Sequence, residues 1–348
     1  MTVWAESGNV CQDETILPTR THPIYKDKTM DYETLLIKTM KYESPGEIPM
    51  RCGILPAVWK ARPEEIKQIV DEFPGFFGDW HKNYDYDKQL PASYHAGVFK
   101  DEWGCEWSNI EEGMESIVTG HPVRTRADIR SLEIPSNRNG RIQHGFMYLR
   151  LLDLRGFEEA MFDFAEECEE LQILIDKVVE HTLIQVDVCL KTAGRVMYFG
   201  DDLGMQDHLA VGPDKWRKYL KPAFAKIYAP VRAAGKLIYM HSDGNMHEII
   251  PDLFECGINM VNPQIRANGL NNLARVCKGR YPMMLDLDRQ LFPFVSPEQC
   301  RAHVRECVEA LWLPTGGLGL NIEIGPDVPP ANIRAILQTA EEYRHYKN

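Results

Sequence analysis

From residue 195 onward the chain alternates short apolar runs with longer segments whose apolar residues recur every three or four positions. Arg195–Phe199 reads as a strand. Asp214–Ala234 reads as a helix, because Trp216, Leu220, Phe224, Ile227 and Val231 fall on one stripe and Gly235 suits its C-terminal end. The alternation continues through strand 237–240, helix 246–255, strand Ile258–Val261 and a short helix near 270–277. Strand Pro282–Leu287, helix 297–312, strand Leu318–Ile322 and helix 331–345 complete it. Five strand–helix units in succession, with short connections, predict a parallel sheet.

The first half is less regular. Residues 1–50 read as an irregular arm with a helix near 31–41, an arm that would serve for dimerisation in a homodimer. Arg51–Leu55 reads as the first barrel strand, Pro63–Phe73 as a helix, His144–Leu149 as another barrel strand and Phe157–Thr182 as one long helix. Residues 76–140, rich in aromatics, Pro, Gly and charge, read as an insertion with short strands that walls or lids a pocket. Trp103 and Trp107 are expected in the core of that insertion rather than against substrate. With no internal repeat, the expectation is a single α/β domain over 1–348: a (β/α)8 TIM barrel with an N-terminal arm and an insertion near the pocket.

Each apolar strand finishes in polar, ligand-capable side chains: Asp201 and Asp202, His241 and Asp243, Asn262 and Gln264, Asp286 and Asp288, Asn321 and Glu323. In a barrel these converge on the one face that carries active sites. An open doubly wound sheet is disfavoured, since no strand is followed by a Gly-x-Gly-x-x-Gly or Walker-type loop. His241-Ser-Asp-Gly-Asn-Met246 is the richest of these ends, with an imidazole and a carboxylate one residue apart. A plainer reading makes His241 a hydrogen-bonded structural residue and Asp243 a turn residue capping helix 246–255. Of Asp201 and Asp202, one would only cap a turn. Asp286 and Asp288 alternate by two and share a face.

Composition narrows the function. The 348 residues carry a formal net charge of −12 with no Lys/Arg run, which sets aside nucleic acid and anionic membranes as partners. No stretch is apolar enough to span a bilayer, and the first residues lack a basic and an apolar region of the signal-peptide kind, so a cytoplasmic protein is expected. Nine cysteines without a Cys-x-x-Cys pair argue against a disulfide framework, with most of them reduced, semi-buried thiols.

Four stretches, in order, resemble the uroporphyrinogen decarboxylase superfamily: Gly145–Glu158 with its following helix; Tyr198-Phe-Gly-Asp-Asp-Leu-Gly-Met-Gln206 ahead of Trp216 and Pro222; Met240-His-Ser-Asp-Gly-Asn245 through Val261-Asn-Pro-Gln264; and Asp327-Val-Pro-Pro-Ala-Asn-Ile333. The resemblance runs over roughly residues 140–345, with a weaker match at Asp101-Glu-Trp-Gly, and it implies a (β/α)8 barrel. The tetrapyrrole decarboxylases of this superfamily carry an Arg-Gln-Ala-Gly-Arg-Tyr segment. Its nearest counterpart here, Pro49–Pro56, has one arginine, too few to grip a polycarboxylate. The resemblance then implies the corrinoid- or folate-linked methyltransferase branch, many members of which hold zinc with a His-x-Cys pair and a distal Cys.

Here His241-Ser-Asp243 stands in the His-x-Cys place and Glu323 near the distal ligand, so the resemblance implies zinc on His241 and Glu323, with Asp243 as a third ligand or as a support for the imidazole. Oxygen and nitrogen donors leave zinc a stronger Lewis acid than thiolates do, which suits an ether oxygen rather than a thiol. The implied activity is O-demethylation: a methyl ether, such as a methoxylated aromatic, donates its methyl to a Co(I) corrinoid on a partner protein. Asp202 and Gln206 would orient the small-molecule donor, Asp288 or Asn262 would hydrogen-bond the released hydroxyl, and Phe146, Tyr198 and Met240 would wall the ring. Asp202, His241 and Asp288 are the catalytic candidates. A cofactor-free decarboxylase or lyase for a small acid, methyl exchange between corrinoid and tetrahydrofolate, and a non-catalytic corrinoid- or folate-binding barrel are the alternatives.

Overall fold

The computed structural model describes residues 31–78, 90 and 92–347. Most of the N-terminal arm and part of the insertion therefore lie outside the described residues. The strands are β1 (Met50–Ile54), β2 (Gly97–Lys100), β3 (Glu106–Asn109), β4 (Ile117–Gly120), β5 (Val196–Gly200), β6 (Leu237–Ser242), β7 (Met260–Pro263), β8 (Met283–Asp286) and β9 (Leu318–Ile324). Six of them form one parallel sheet in the order β1-β9-β8-β7-β6-β5, curled into a half-barrel of the TIM-barrel kind with helices between successive strands.

Register decides which side chains meet. Tyr198 lies opposite Tyr239, His241 opposite Asn262, and Asn321 opposite both Asp286 and Arg51. Because strand residues point alternately to the two faces, Tyr239-His241-Asp243, Met260-Asn262-Gln264, Met284-Asp286-Asp288 and Gly319-Asn321-Glu323 rise in layers along the concave face. The intervening residues Phe199, Met240, Val261, Leu285 and Ile322 belong to the large core between sheet and helices. A second, smaller core fills the bottom of the half-barrel. There Tyr32, Leu36 and Met40, from the helix Tyr32–Met40, pack on Val196, Tyr239, Met260 and Met284. The helix expected near 31–41 thus closes the floor beneath the polar layers.

Three local expectations are corrected. His144–Leu149 is not a strand. Residues 144–147 turn, and a helix runs over Tyr148–Arg155. Gly145 sits at φ +72, and the Asp201 carboxylate takes the first helical amides, Tyr148 N at 2.6 Å and Leu149 N at 2.9 Å. A glycine turn with a buried N-terminal cap outweighs the apolar run. The long helix 157–182 is two, Phe157–Glu166 and Glu169–Cys189, broken where Glu167 turns left-handed at φ 55. The helix expected from residue 246 begins at Ile250, and Asp243 does not cap it.

The insertion holds the antiparallel sheet β2-β3-β4. Asp101 ties it down by accepting from Trp103 N, Cys105 N, Trp107 Nε1 and, at 2.7 Å, Arg150 Nη1. Trp103 is buried, its ring centroid 5.1 Å from that of His181 in an edge-on arrangement, as expected of an insertion core. Among the described residues seven cysteines are free thiols, and no helix is long and apolar enough to cross a membrane.

Candidate active site

His241 occupies the middle layer of the concave face, held from below and beside. Its Nδ1 lies 2.9 Å from Asn262 Oδ1, and Asn262 Nδ2 donates to Met284 O and to Asp286 Oδ1, both at 2.6 Å. Both partners of Nδ2 are acceptors, so the amide has one orientation, and Nδ1 of His241 must carry the hydrogen. Asn321 Nδ2 also donates to Asp286 Oδ1 at 2.6 Å. Arg51 Nε in turn donates to Asn321 Oδ1 at 2.7 Å, with its guanidinium over the Tyr239 ring. A continuous hydrogen-bond path therefore crosses the half-barrel from Arg51 on β1 to His241 on β6.

The tautomer leaves Nε2 of a neutral His241 as an acceptor, yet Nε2 faces Asp243 Oδ1 at 3.1 Å. Two acceptors at that distance require a proton or a metal ion between them. Burial disfavours the imidazolium, but the Asp243 hydrogen bond and the Asp243 and Asp286 charges outweigh it, and the pKa of His241 rises to about 9. Burial pushes Asp286 up to about 6 against the pull of His241. The donor set is nitrogen and oxygen, borderline to hard, and fits zinc. Among the described residues two groups bring ligand atoms within 4.8 Å of one another: His241, Asp243 and Asp286; and His144, Asp202 and His241.

The loops after β5 and β6 interlock above this layer. Asp202 Oδ1 accepts from His144 Nε2 at 3.0 Å and from the Asp243 amide at 3.1 Å, which holds its carboxyl below the usual range despite burial. Gly204 and Gly244 allow the approach. A Cβ on Gly244 would lie 2.0 Å from Gly204 O, and Gly244 itself sits at φ +79. Of the two neighbouring aspartates, Asp201 is the structural cap and Asp202 faces the site.

At the mouth, Arg289 bridges Glu323 and Asp243, reaching Asp243 Oδ2 at 3.2 Å. Glu323 is thus held by a guanidinium, and Asp286 rather than Glu323 stands in a ligand group with His241. Asp288 lies beside this bridge, taking Arg266 Nη1 at 3.0 Å and capping Leu291 N at 3.1 Å. Gln264, Arg266, Asp286, Arg289, Asn321 and Glu323 help line a cleft of about 340 Å³, open space included.

The expected aromatic walls divide. Tyr198 is on the concave face, its ring 5.1 Å from Tyr239. Met240 is not, because the residue after Tyr239 and before His241 points the other way, and its sulfur takes the Tyr228 hydroxyl at 3.1 Å. Phe146 likewise packs into the core behind the sheet, its ring 5.2 Å from Phe199 and 5.3 Å from Phe224. Asn262 is fully buried and has its polar atoms committed, so it orients His241 instead of awaiting a hydroxyl. Gln206 is exposed on the loop between Gly204 and Leu209. Sequence reading passed over Arg51, His144 and Arg289. For His144 the signal was a histidine directly before Gly145; Arg51 and Arg289 are found only through partners far away in the chain.

A family model described as uroporphyrinogen decarboxylase (URO-D) matches residues 152–343. No curated protein matches the chain at the sequence level. Among solved structures, it is similar to a methyltransferase from Methanosarcina mazei, with 17% identity, 90% of this chain and 98% of that chain covered, and a TM-score of 0.64. At that identity the likeness is one of fold.

Proposed function

This chain belongs to the uroporphyrinogen decarboxylase (URO-D) family, and from that membership we propose that it is a methyltransferase acting as an O-demethylase. The methyl of an ether, with a methoxylated aromatic as donor class, passes to a Co(I) corrinoid carried by a partner protein. Cobalt supplies the electron pair for the new Co–C bond and becomes Co(III). The C–O bond breaks with its electrons on oxygen, and that oxygen takes up a proton.

The observation that carries this reading is the approach of His241 Nε2 and Asp243 Oδ1 to 3.1 Å, where a metal ion would take the place of the shared proton. His241 and Asp243 would hold a zinc ion, with Asp286 within reach and Glu323 joining when Arg289 releases it. Zinc bound there supplies Lewis acidity toward the ether oxygen. Asn262 keeps the His241 lone pair outward by fixing its Nδ1–H, the support that a histidine ligand needs. Asp202 and Gln206 lie on the loop above and would orient the donor, Tyr198 would wall its ring, and Asp288, on the cleft lining, would hydrogen-bond the released hydroxyl. The arginines are engaged: Arg51 with Asn321, Arg266 with Asp288, Arg289 with Glu323 and Asp243. Among the described residues, these three therefore offer the cleft no free guanidinium cluster of the kind a tetrapyrrole polyanion needs.

The test mixes the full-length protein with Co(I) corrinoid protein and a panel of methoxylated aromatics, and follows the methyl-Co(III) spectrum. Zinc in the purified protein and methyl-Co(III) formation that chelator abolishes are expected; activity indifferent to zinc and chelator sinks the mechanism. One observation favours a second reading. A protonated His241 with Arg266 and Arg289 at the cleft would suit a lyase for a small carboxylic acid, and that activity would persist in chelator. Tetrahydrofolate offered in place of the corrinoid tests the folate variant.

A further inference from the structure

A second cavity lies where Phe146 packs behind the sheet. Phe146 lines it together with Trp103 from the insertion and with Val178, His181 and Thr182 from the helix Glu169–Cys189. Its volume is about 340 Å³, open space included. The ring expected to wall the substrate well is thus the wall of a different space.

His181 is 9% exposed, and its Nε2 edge is occupied by Asn137 Oδ1 at 3.1 Å and Gln185 Nε2 at 3.3 Å. Gln185 is itself committed, donating to Asn137 O at 2.7 Å and accepting from Gly140 N at 3.0 Å. Asn137 Oδ1, the nearer group, takes the Nε2 hydrogen, which leaves a lone pair on Nδ1. Burial lowers the pKa of His181 and keeps the ring neutral. Neither His181 Nδ1 nor Trp103 Nε1 has a hydrogen-bond partner among the described residues, and neither is fully enclosed. Buried polar atoms are normally satisfied, so one acceptor and one donor are left over on an otherwise apolar lining. The charges nearby cancel. Arg150 is held by Asp101 at 2.7 Å and Asp153 at 3.5 Å, and the exposed Glu102 and Arg141 add one charge of each sign.

We propose that this cavity is a second binding site, separate from the well, for a small neutral phenol. The hydroxyl donates to His181 Nδ1 and accepts from Trp103 Nε1, while the ring lies against Phe146 and Val178. A phenol, with a pKa of about 10, enters uncharged. The site backs onto the turn that serves the well. Gln143 is part of its lining, the next residue, His144, pairs with Asp202, and the Thr182 hydroxyl donates to Phe146 O at 3.0 Å. An occupant therefore bears on the turn that carries His144. None of the candidate metal ligands takes part, so the site stands whether or not the metal-dependent reading holds.

Chelator-treated full-length protein, labelled with 15N in histidine and tryptophan, is titrated with phenol and with toluene, which keeps a six-membered ring but has no hydroxyl. His181→Gln and Trp103→Phe assign the two signals. Phenol is expected to move His181 Nδ1 and Trp103 Nε1 saturably, and toluene to bind about tenfold more weakly, the size of one net hydrogen bond. His181→Phe, which keeps a ring and removes the acceptor, is expected to bring phenol down to the affinity of toluene. No phenol binding, binding that moves only His241, or equal affinities for phenol and toluene each overturn the proposal. If a variant does not fold, the phenol-to-toluene ratio of the parent decides the matter.

Discussion

Asn262 holds His241 in one tautomer: its Oδ1 lies 2.9 Å from Nδ1 while its own Nδ2 is committed to Met284 O and Asp286 Oδ1. Asn262→Ala removes the acceptor that keeps Nε2 free and strips a donor from two buried oxygens. Metal affinity is expected to fall about 10–100-fold, and stability by about 1–3 kcal/mol. Competitive zinc titration and urea unfolding of the same variant measure both. Unchanged affinity would show that the tautomer does not matter.

The raised pKa of His241 gives the metal-free protein a defined pH dependence. A group whose folded pKa exceeds its unfolded value stabilises the fold fully below the unfolded pKa, about 6.5 for histidine, and loses that contribution as pH rises through the folded value, here about 9. Stability in chelator is expected to decline from near neutrality through pH 9, and His241→Gln to flatten the decline. Denaturant midpoints at a series of pH values check it; a curve of the same slope in both proteins refutes it.

Arg289 competes with a divalent cation for Asp243, because its guanidinium already spans Asp243 and Glu323. Arg289→Met removes the competitor and leaves two carboxylates facing the mouth. Zinc or Co(II) affinity is expected to rise by about tenfold, the size of one partly screened charge interaction. Calorimetric titration reads it, and weaker binding would mean that Arg289 supports the site instead of opposing the ion.

Asp201 and Asp202 are adjacent but separable. Asp201→Ala removes a buried N-terminal cap and is expected to cost about 0.5–2 kcal/mol of stability, with metal affinity retained. Asp202→Ala is expected to do the reverse, because its carboxylate faces His144 and the Asp243 amide. Equal metal affinities in the two variants would contradict this division.

Gly244→Ala tests the interlocked loops. An added Cβ meets Gly204 O at 2.0 Å, on a backbone at φ +79. Left-handed strain alone costs about 1–3 kcal/mol, and the loops carrying Asp202 and Asp243 must part. A fall in both Tm and metal affinity is expected; a fall in Tm alone would separate the loop packing from the site.

Much of this was legible along the chain, because a strand's alternation converts spacing into direction. His241 and Asp243, Asn262 and Gln264, Asp286 and Asp288, Asn321 and Glu323 each share a face, and the parallel register brings the faces together. The same rule exposes the misreading of Met240: adjacent to His241 in the chain, it points to the opposite side of the sheet. Phe146 and the strand expected at His144–Leu149 failed for another reason. A cap supplied by Asp201, fifty-three residues from Tyr148, converts that stretch into a turn and a helix. Arg51 and Arg289 reach His241 and Asp243 through tertiary placement alone, which no local pattern encodes.

The Tyr32–Met40 helix has a consequence for traffic. With Tyr32, Leu36 and Met40 packed under Tyr239, Met260 and Met284, the half-barrel is closed at its floor among the described residues, and Asp243, Arg289 and Glu323 stand at the other end. Under the proposed O-demethylation, a small donor and a large protein-borne acceptor would share that open end, and the donor would have to settle before the acceptor seats over it.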